Sequence, residues 1–287
     1  VLYGADGANG VILVTTKTPE KGKANFSLSV SQGVSSLDRS TVLRMCSTEQ
    51  WWELAKESWV NSGRPLSAFP YQDNEHNAYS TTSTDWFDVY FGTGYTTDAR
   101  FSASGGTDRI SNRFSMSFYN NLPTCKGGRQ QRYSISERTV FTIAKWLKLD
   151  TDIKLVYSND KVFSLTSSYY NILPIFSPYD MDGVTPRLYN YYSESDTEYV
   201  PVKKKFVYNY VPSREFNDKR QNTLDAKASG RLIITPFEGL TIESLLGFTS
   251  TNIFEKSYTH SKTEYSPRAD GLVGASERAG VATLTLD

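Results

Sequence analysis

Apolar and polar side chains alternate at every second position in many long segments of this chain. In the first of them, Phe26, Leu28 and Val30 are separated by serines, and in the segment 147–158 apolar residues alternate with lysines and aspartates. Because successive side chains of a β-strand point to opposite faces, this period indicates strands with one apolar and one polar face. Eight long strands are predicted after a short apolar strand at 11–16, near 24–35, 98–106, 112–122, 130–142, 146–159, 220–235, 240–256 and 280–286.

The connections between these predicted strands alternate in length. The short turns lie near 106–111, 143–145 and 236–239, and the long connections span roughly 36–97, 123–129, 160–219 and 257–279. Alternation of this kind is typical of an up-and-down antiparallel barrel with short turns at one rim and long loops at the other. One short helix is predicted in the first long loop, with Ser47 as its N-cap. Its apolar face is expected to contain Trp51, Leu54, Ala55 and Trp59.

Composition and residue counts exclude several classes of protein. The 31 basic residues equal the 31 acidic ones, so a strongly basic nucleic-acid binder is excluded. The longest apolar run is 11–14, which is far too short for a membrane-spanning helix. Two cysteines, Cys46 and Cys125, and two histidines form neither a disulfide framework nor a metal-ligand cluster. No catalytic constellation is recognisable, so we expect no enzyme activity, no metal and no cofactor.

Periodicity alone leaves two environments open for the apolar face, a protein core or the lipid of a membrane. A soluble β-rich module for carbohydrate binding or adhesion would fold in water without detergent. An outer-membrane barrel with only a structural role would close with about eight strands and leave no room for a plug. The long strands and the alternating loops favour a transmembrane β-barrel, which also has no open sheet edges.

The first residues of the chain carry a family resemblance. Residues 3–17, YGADGANGVILVTTK, resemble the end of the plug domain of TonB-dependent outer-membrane transporters, in particular the SusC/RagA branch of the Bacteroidetes. The residues of this plug-end motif are Tyr3, Gly4, Gly7, Asn9 and Gly10. Further segments resemble family elements in the expected order, at 84–88 (TDWFD), 100–107, 132–134, 146–149, 177–183 and 236–241.

The resemblance implies a fold, a domain division and a function. Residues 1–19 would be the C-terminal end of a plug domain, and 20–287 the first part of an antiparallel barrel, with about 8 of about 22 strands. The whole protein would import a large nutrient, a peptide or an oligosaccharide, across the bacterial outer membrane. Its expected partners are a SusD-like lipoprotein, outer-membrane lipid, and TonB through a segment that this sequence does not contain.

The long loop at 160–219 is rich in tyrosine, which offers a flat apolar ring with a polar tip. Such residues suit sugar stacking, peptide contact or a partner protein, and they suit equally the aromatic girdle of a barrel or packing within the loop. The candidate ligand or partner contacts are Tyr169, Tyr170, Tyr189, Tyr191 and Tyr192.

Overall fold

A computed structural model shows one large antiparallel sheet. The described residues are 19, 22–69, 82–163, 165, 172–179, 182–186, 189–190, 207–260, 274–279 and 285–286. Their strands are β1 Gly22–Ser35, β2 Gly94–Gly106, β3 Ile110–Leu122, β4 Arg129–Ala144, β5 Leu147–Lys161, β6 Tyr189–Asn190, β7 Val207–Tyr208, β8 Asp218–Phe237, β9 Leu240–Thr259, β10 Gly274–Ala279 and β11 Thr285–Leu286. The large sheet has the order β1-β2-β3-β4-β5-β8-β9-β10, with β11 also paired to β9, while β6 and β7 pair separately. This sequential order is that of an up-and-down barrel wall.

The seven long strands confirm the first seven strand predictions, with ends that differ by at most four residues. Of the last predicted strand, 280–286, residues 285–286 form β11, and 280–284 lie outside the described residues. Here the chain already pairs with β9 through β10, and it pairs with β9 again through β11. The segment 274–279 (GASERA) has no apolar alternation that would indicate a strand, and it pairs through backbone hydrogen bonds, which do not require one.

Three α-helices lie in the described connections, α1 Thr48–Asn61, α2 Trp86–Tyr90 and α3 Val211–Phe216. α1 confirms the predicted helix. Its N-cap, Ser47, accepts a hydrogen bond from the Gln50 amide (3.2 Å), and the Gln50 side chain accepts one from the Ser47 amide (3.0 Å). α2 and α3 have five and six residues, too few to produce a helical period in the sequence. No helix within the described residues is both long and apolar enough to span a membrane.

The buried face of α1 differs from the predicted one by one residue. Trp51, Trp52, Ala55 and Trp59 are half-buried, whereas Leu54 is exposed. Trp52 and Trp59 both contact the ring of Phe69, at centroid distances of 6.0 and 5.9 Å. Phe69 lies beyond the helix on the returning chain, and its position could not be read from the helical period. The packing of the returning chain, through Phe69, therefore decides which face of α1 is buried.

The short turns all join strand ends on one side of the sheet. They connect β2 to β3, β4 to β5, and β8 to β9, and the last of them consists of Glu238 and Gly239. Gly239 has a φ of 91°, a conformation that residues with a side chain rarely adopt. The long connections 36–93, 123–128 and 162–217 all leave the opposite end of the sheet. The predicted division into a plain rim and an elaborated rim is thus confirmed for these strands.

Strand register separates an apolar outer face from a polar inner face. Leu28 of β1 lies opposite Phe101, and this row continues through Met116, Ile135 and Leu155 of the next strands. Side chains of opposed residues in antiparallel strands project from the same face. The neighbouring row on the other face is Ser27, Ser102, Ser115, Ser136 and Lys154.

No protein element among the described residues covers the outer face of the sheet. In the described residues, every buried hydrophobic side chain belongs to a connection or a short helix, and none belongs to the large sheet. Outer-face residues stay open instead, with Leu28 at 73% exposure, Ile135 at 46% and Leu155 at 45%. On β5 the outer-face apolar residues extend from Leu147 to Tyr157, a length that fits the 9–11 residues of a tilted membrane strand. An exposed apolar surface of this extent is suited to lipid and argues against a water-soluble module.

One polar cluster interrupts the outer face. Glu137 of β4 occupies an outer-face position between Phe114 of β3 and Ile153 of β5. The side chains of Asn112 and Thr139 both donate hydrogen bonds to its carboxylate. These donors partly replace the water that a carboxylate loses on an apolar surface.

Candidate functional site

The inner face forms a concave surface of about 670 Å³ across strands β1 to β5. Serines from these strands line much of it, and two pairs lie in contact across β3 and β4. The Ser115 and Ser136 hydroxyls are 2.7 Å apart, and those of Ser117 and Ser134 are 2.5 Å apart. A concavity lined by adjacent strands requires the sheet to curve toward its polar side. The serine-rich face would therefore border the interior of a barrel.

The lining of this concavity carries more positive than negative charge. Its basic residues are Arg100, Arg113, Arg132 and Lys154, and its acidic residue is Asp98. Asp98 accepts two hydrogen bonds from Arg100, at 2.8 and 2.7 Å. The surface thus offers hydroxyl groups and cations to a polar or anionic group. Within the described residues, no three metal-ligating side chains lie together.

A charge pair deeper on the inner face joins β4 to β5. Arg138 donates from Nε and Nη2 to the two carboxylate oxygens of Asp150, at 3.0 and 2.7 Å. The two side chains are only 16% and 12% exposed. This bidentate geometry fixes the orientation of both groups. Because both side chains are nearly buried, little water is available to stabilise either charge.

Replacing Asp150 with asparagine should destabilise the full-length barrel, because the largely buried Arg138 would lose its two hydrogen bonds to a charged carboxylate. A hydrogen bond to a charged group contributes about 1.5–3 kcal/mol, and we expect a loss of this size in urea unfolding. The double variant R138Q/D150N should lose less than D150N alone, since it removes the buried cation together with the carboxylate that it binds. Equal losses in the two variants would contradict a coupled pair.

The second part of the site is an aromatic core at the long-loop rim, which we term the loop hub. It is defined by buried residues from the β1–β2 and β5–β8 connections, namely Trp86, Tyr90, Ile172, Ile175, Phe176, Tyr210 and Val211. The ring of Trp86 stacks on Tyr90 with centroids 5.6 Å apart, and Tyr210 meets Tyr90 edge-on at 6.0 Å. The hub thus packs two loops against each other that are far apart in sequence.

Hydrogen bonds satisfy the polar groups inside the loop hub. The Tyr90 hydroxyl donates to Asn209 Oδ1 (3.2 Å) and accepts from the Tyr210 amide (2.9 Å). Asn209 also donates from Nδ2 to the Pro178 carbonyl at 2.7 Å. Trp86 Nε1 donates to the Leu173 carbonyl at 2.9 Å. Since buried polar groups are costly when unpaired, these bonds specify one arrangement of the two loops.

The β3–β4 connection joins the same hub. The Lys126 amide donates to the Tyr90 carbonyl (2.9 Å), and its Nζ donates to the Asp88 carbonyl (2.6 Å). Gly127 has a φ of 108°, and a Cβ there would lie 2.7 Å from Cγ of Arg214. Arg214 in turn donates to the Val89 carbonyl at 2.9 Å. All three long connections between β1 and β8 therefore meet in one packed unit.

Three groups in the connections have shifted pKa values. Hydrogen bonds from the Ser40 side chain and backbone lower the pKa of Asp38, and bonds from Thr185 lower the pKa of Asp182. Both carboxylates organise loop turns of their own chain. Burial raises the pKa of the Cys125 thiol, which keeps it protonated and poorly reactive at neutral pH.

The residues proposed from sequence lie mostly outside the described part of the chain. This holds for the plug-end motif Tyr3, Gly4, Gly7, Asn9 and Gly10, and for Tyr169, Tyr170, Tyr191 and Tyr192. Tyr189 is described through its backbone, which pairs with Tyr208 in the β6–β7 ribbon. The proposed ligand and plug roles of these residues are therefore untested.

The TDWFD segment, by contrast, lies at the centre of the hub. Thr84 Oγ1 donates to the Phe176 carbonyl (2.6 Å), Asp85 accepts from the Phe87 amide to cap α2, and Trp86 fills the core. Sequence reasoning identified this segment without assigning it a role, and it did not find Asn209 or Arg214. An asparagine and an arginine in a polar loop give no signal of burial.

Comparisons with known proteins point in one direction. No protein-family model matches the chain. The TonB-dependent receptor P26 of Formosa agariphila is 27% identical over 158 residues, which cover 55% of this chain and 15% of that protein. The TonB-dependent receptor SusC of Bacteroides thetaiotaomicron is 28% identical over 135 residues, covering 47% of this chain and 12% of SusC. The matched region thus spans well under a quarter of either relative.

Solved structures share the fold over nearly the whole chain. The RagAB peptide transporter superposes with a TM-score of 0.78 at 19% identity, over 97% of this chain and 33% of that one. The RagAB peptide importer in its open-open state gives a TM-score of 0.76 over 96% of this chain. The described sheet, with its apolar outer face and its long loops at one rim, agrees with this likeness. By sequence and fold together, the chain is SusC/RagA-like, with the sheet architecture of a TonB-dependent outer-membrane transporter barrel.

Proposed function

We propose that this chain forms part of the barrel of a transporter that imports a large nutrient across the outer membrane, driven through TonB. The observation that carries this proposal is the division of the sheet into an uncovered apolar face and a concave polar face. Lipid would cover the first, and the second would border the transport path. In this proposal residues 1–19 end the plug domain and 20–287 begin the barrel.

The loop side of the barrel is the proposed place of substrate capture. Barrels of this kind have short turns on the periplasmic side and long loops outside the cell. The loop hub would then form a firm extracellular platform on which a SusD-like lipoprotein could dock. The tyrosines 169, 170, 189, 191 and 192 remain our candidates for contact with the substrate or with that lipoprotein. TonB would act through a segment beyond this sequence.

A peptide or an oligosaccharide is the proposed substrate class. Structural neighbours named as a peptide transporter and a peptide importer support the peptide, and tyrosine rings in the long loop would suit either ligand. The serine hydroxyls and cations of the inner face match the polar groups of both. Binding would be non-covalent throughout, and the energy would come from the inner-membrane proton gradient.

Uptake by cells that carry the full-length gene would test this function. The probes are two series of fluorescent compounds, oligopeptides and oligosaccharides, all too large for porins. We expect one of the two series to enter the periplasm. Entry should stop when the proton gradient is collapsed or when TonB is deleted. Uptake that survives both treatments would instead indicate a passive barrel, and surface binding without entry would indicate an adhesion module.

A further inference from the structure

The outer face changes its chemistry in steps toward the long-loop rim. Above the aliphatic rows lies an aromatic row, in which Phe118, Tyr133 and Tyr157 are register partners with ring centroids 5.1 and 6.4 Å apart. In β3, β4, β5 and β8, the next outer-face row consists of the amides Asn120, Gln131, Asn159 and Asn222, and its member in β9 is Phe254. Aromatic and then polar residues follow the apolar band of a membrane barrel where hydrocarbon gives way to headgroups.

One row further, four cations stand side by side. Arg129 of β4 is the register partner of Lys161 of β5, Lys161 that of Arg220 of β8, and Arg220 that of Lys256 of β9. We refer to these four residues as the basic row. Arg129, Arg220 and Lys256 are exposed, and Lys161 is half-buried. Opposed residues on one face of a sheet have Cβ atoms only about 4.5–5.5 Å apart, and like charges so placed repel one another.

Few acidic groups compensate the basic row. Among the described side chains, Asp218 bonds to it, accepting from Arg220 Nε at 2.9 Å. Arg129 donates to the neutral amide oxygen of Asn120 at 3.2 Å. Glu277 of β10 is the register partner of Lys256. The repulsion among the four adjacent cations would therefore be reduced by a negatively charged group from outside the sheet.

The positive charge is confined to one end of the outer face. At the short-turn end, the corresponding register row is Phe141, Leu149, Leu232 and Ser244, which carries no charge. A requirement for solubility alone would place charges at both ends. The asymmetry assigns the cations to the leaflet on the long-loop side, which is the outer leaflet. The anion available at that depth is the phosphate of lipopolysaccharide.

We infer that the basic row is a binding site for the phosphate groups of lipopolysaccharide in the surrounding outer leaflet. Arginine binds phosphate through two parallel hydrogen bonds, and lysine binds it as a point charge, so one phosphate can bridge neighbouring strands. Such bridging would relieve the repulsion within the row. The site requires only the outer-membrane location and is independent of nutrient import.

The test uses full-length protein in detergent and two probes, lipopolysaccharide and the same lipid after enzymatic removal of its phosphates. Native mass spectrometry measures the lipid that each protein retains. Each cation near an anionic surface contributes about fivefold in affinity, so R129Q/K161Q/R220Q/K256Q should bind the phosphorylated lipid more than about a hundredfold more weakly. The dephosphorylated lipid should bind the unmodified protein as weakly as the phosphorylated lipid binds the variant.

The matched control removes four cations from the inner face of the sheet, as R100Q/R113Q/K154Q/K227Q. Its retention of phosphorylated lipid should stay within about twofold of that of the unmodified protein, because these residues face away from lipid. Heat-modifiable gel mobility reports whether each variant folds. If the quadruple outer-face variant does not fold, the single variants R220Q and K256Q should each weaken binding by about fivefold. Equal retention by all variants, or no preference for the phosphorylated lipid, would overturn the inference.

Discussion

Replacing Trp86 with alanine is expected to loosen the loop hub while the strands of the sheet stay paired. The Trp86 side chain is 2% exposed, stacks on Tyr90 and donates to the Leu173 carbonyl. Loss of a buried tryptophan costs about 3–5 kcal/mol, a large fraction of what so small a core can supply. In full-length protein, amide hydrogen exchange should rise sharply at 82–92, 172–179 and 207–217. Exchange in β3 to β5 should change little.

Trp146 offers a matched control for this substitution. It lies in the short β4–β5 turn and is 51% exposed, so Trp146→Ala removes the same side chain from an open position. Hub exchange should then match that of the unmodified protein. Tyr90→Phe should give an intermediate result, because it keeps the ring but removes the hydroxyl that bonds to Asn209 and Tyr210. Unchanged hub exchange in Trp86→Ala would mean that the aromatic core does not hold the loops.

The second large effect is expected from placing an arginine on the outer face of β5, compared with one on its inner face. Leu155 projects from the outer face, and Val156, the next residue, projects from the inner face beside Ser134 and Asp225. Arginine at a lipid-facing barrel position costs about 2–4 kcal/mol near the bilayer midplane. Leu155→Arg should therefore lower the unfolding free energy of the full-length barrel by that amount. Val156→Arg should cost less than about 1 kcal/mol, since Asp225 and water can solvate it.

Adjacent positions make this comparison strict, because the two variants share a strand, a depth and a new side chain. Folding into lipid vesicles followed by urea titration measures both. A photoreactive probe dissolved in the bilayer should also label Leu149, Ile153 and Leu155 in preference to Asp150, Asp152 and Lys154. Equal destabilisation by the two arginines, or labelling without a preference for one face, would show that lipid does not cover the outer face.

The strands and their two faces could be predicted from sequence for a simple physical reason. A strand between lipid and a polar interior needs side chains of opposite character at alternate positions, as at Phe26 to Ser31 and at Leu149 to Lys154. This alternation is visible in the sequence of each strand alone, without knowledge of the neighbouring strands. The pairing of 274–279 with β9 was not predicted, because this segment has no such alternation.

The loop hub could not be predicted in the same way, because its contacts join distant parts of the chain. Tyr90 and Asn209 are 119 residues apart, and Thr84 bonds to a carbonyl 92 residues away. Neither loop shows a period that indicates burial. The basic row is likewise invisible along the chain, since Arg129, Lys161, Arg220 and Lys256 become neighbours only through strand register.

The meeting of three loops in the hub has a mechanical consequence. The connections that it joins link β1 to β2, β3 to β4, and β5 to β8, so six consecutive strands are braced at the same end. Their tips would move together as a single arc. Under the proposed transport function, an opening of the barrel for a bulky solute would then occur elsewhere on its circumference, against this rigid arc.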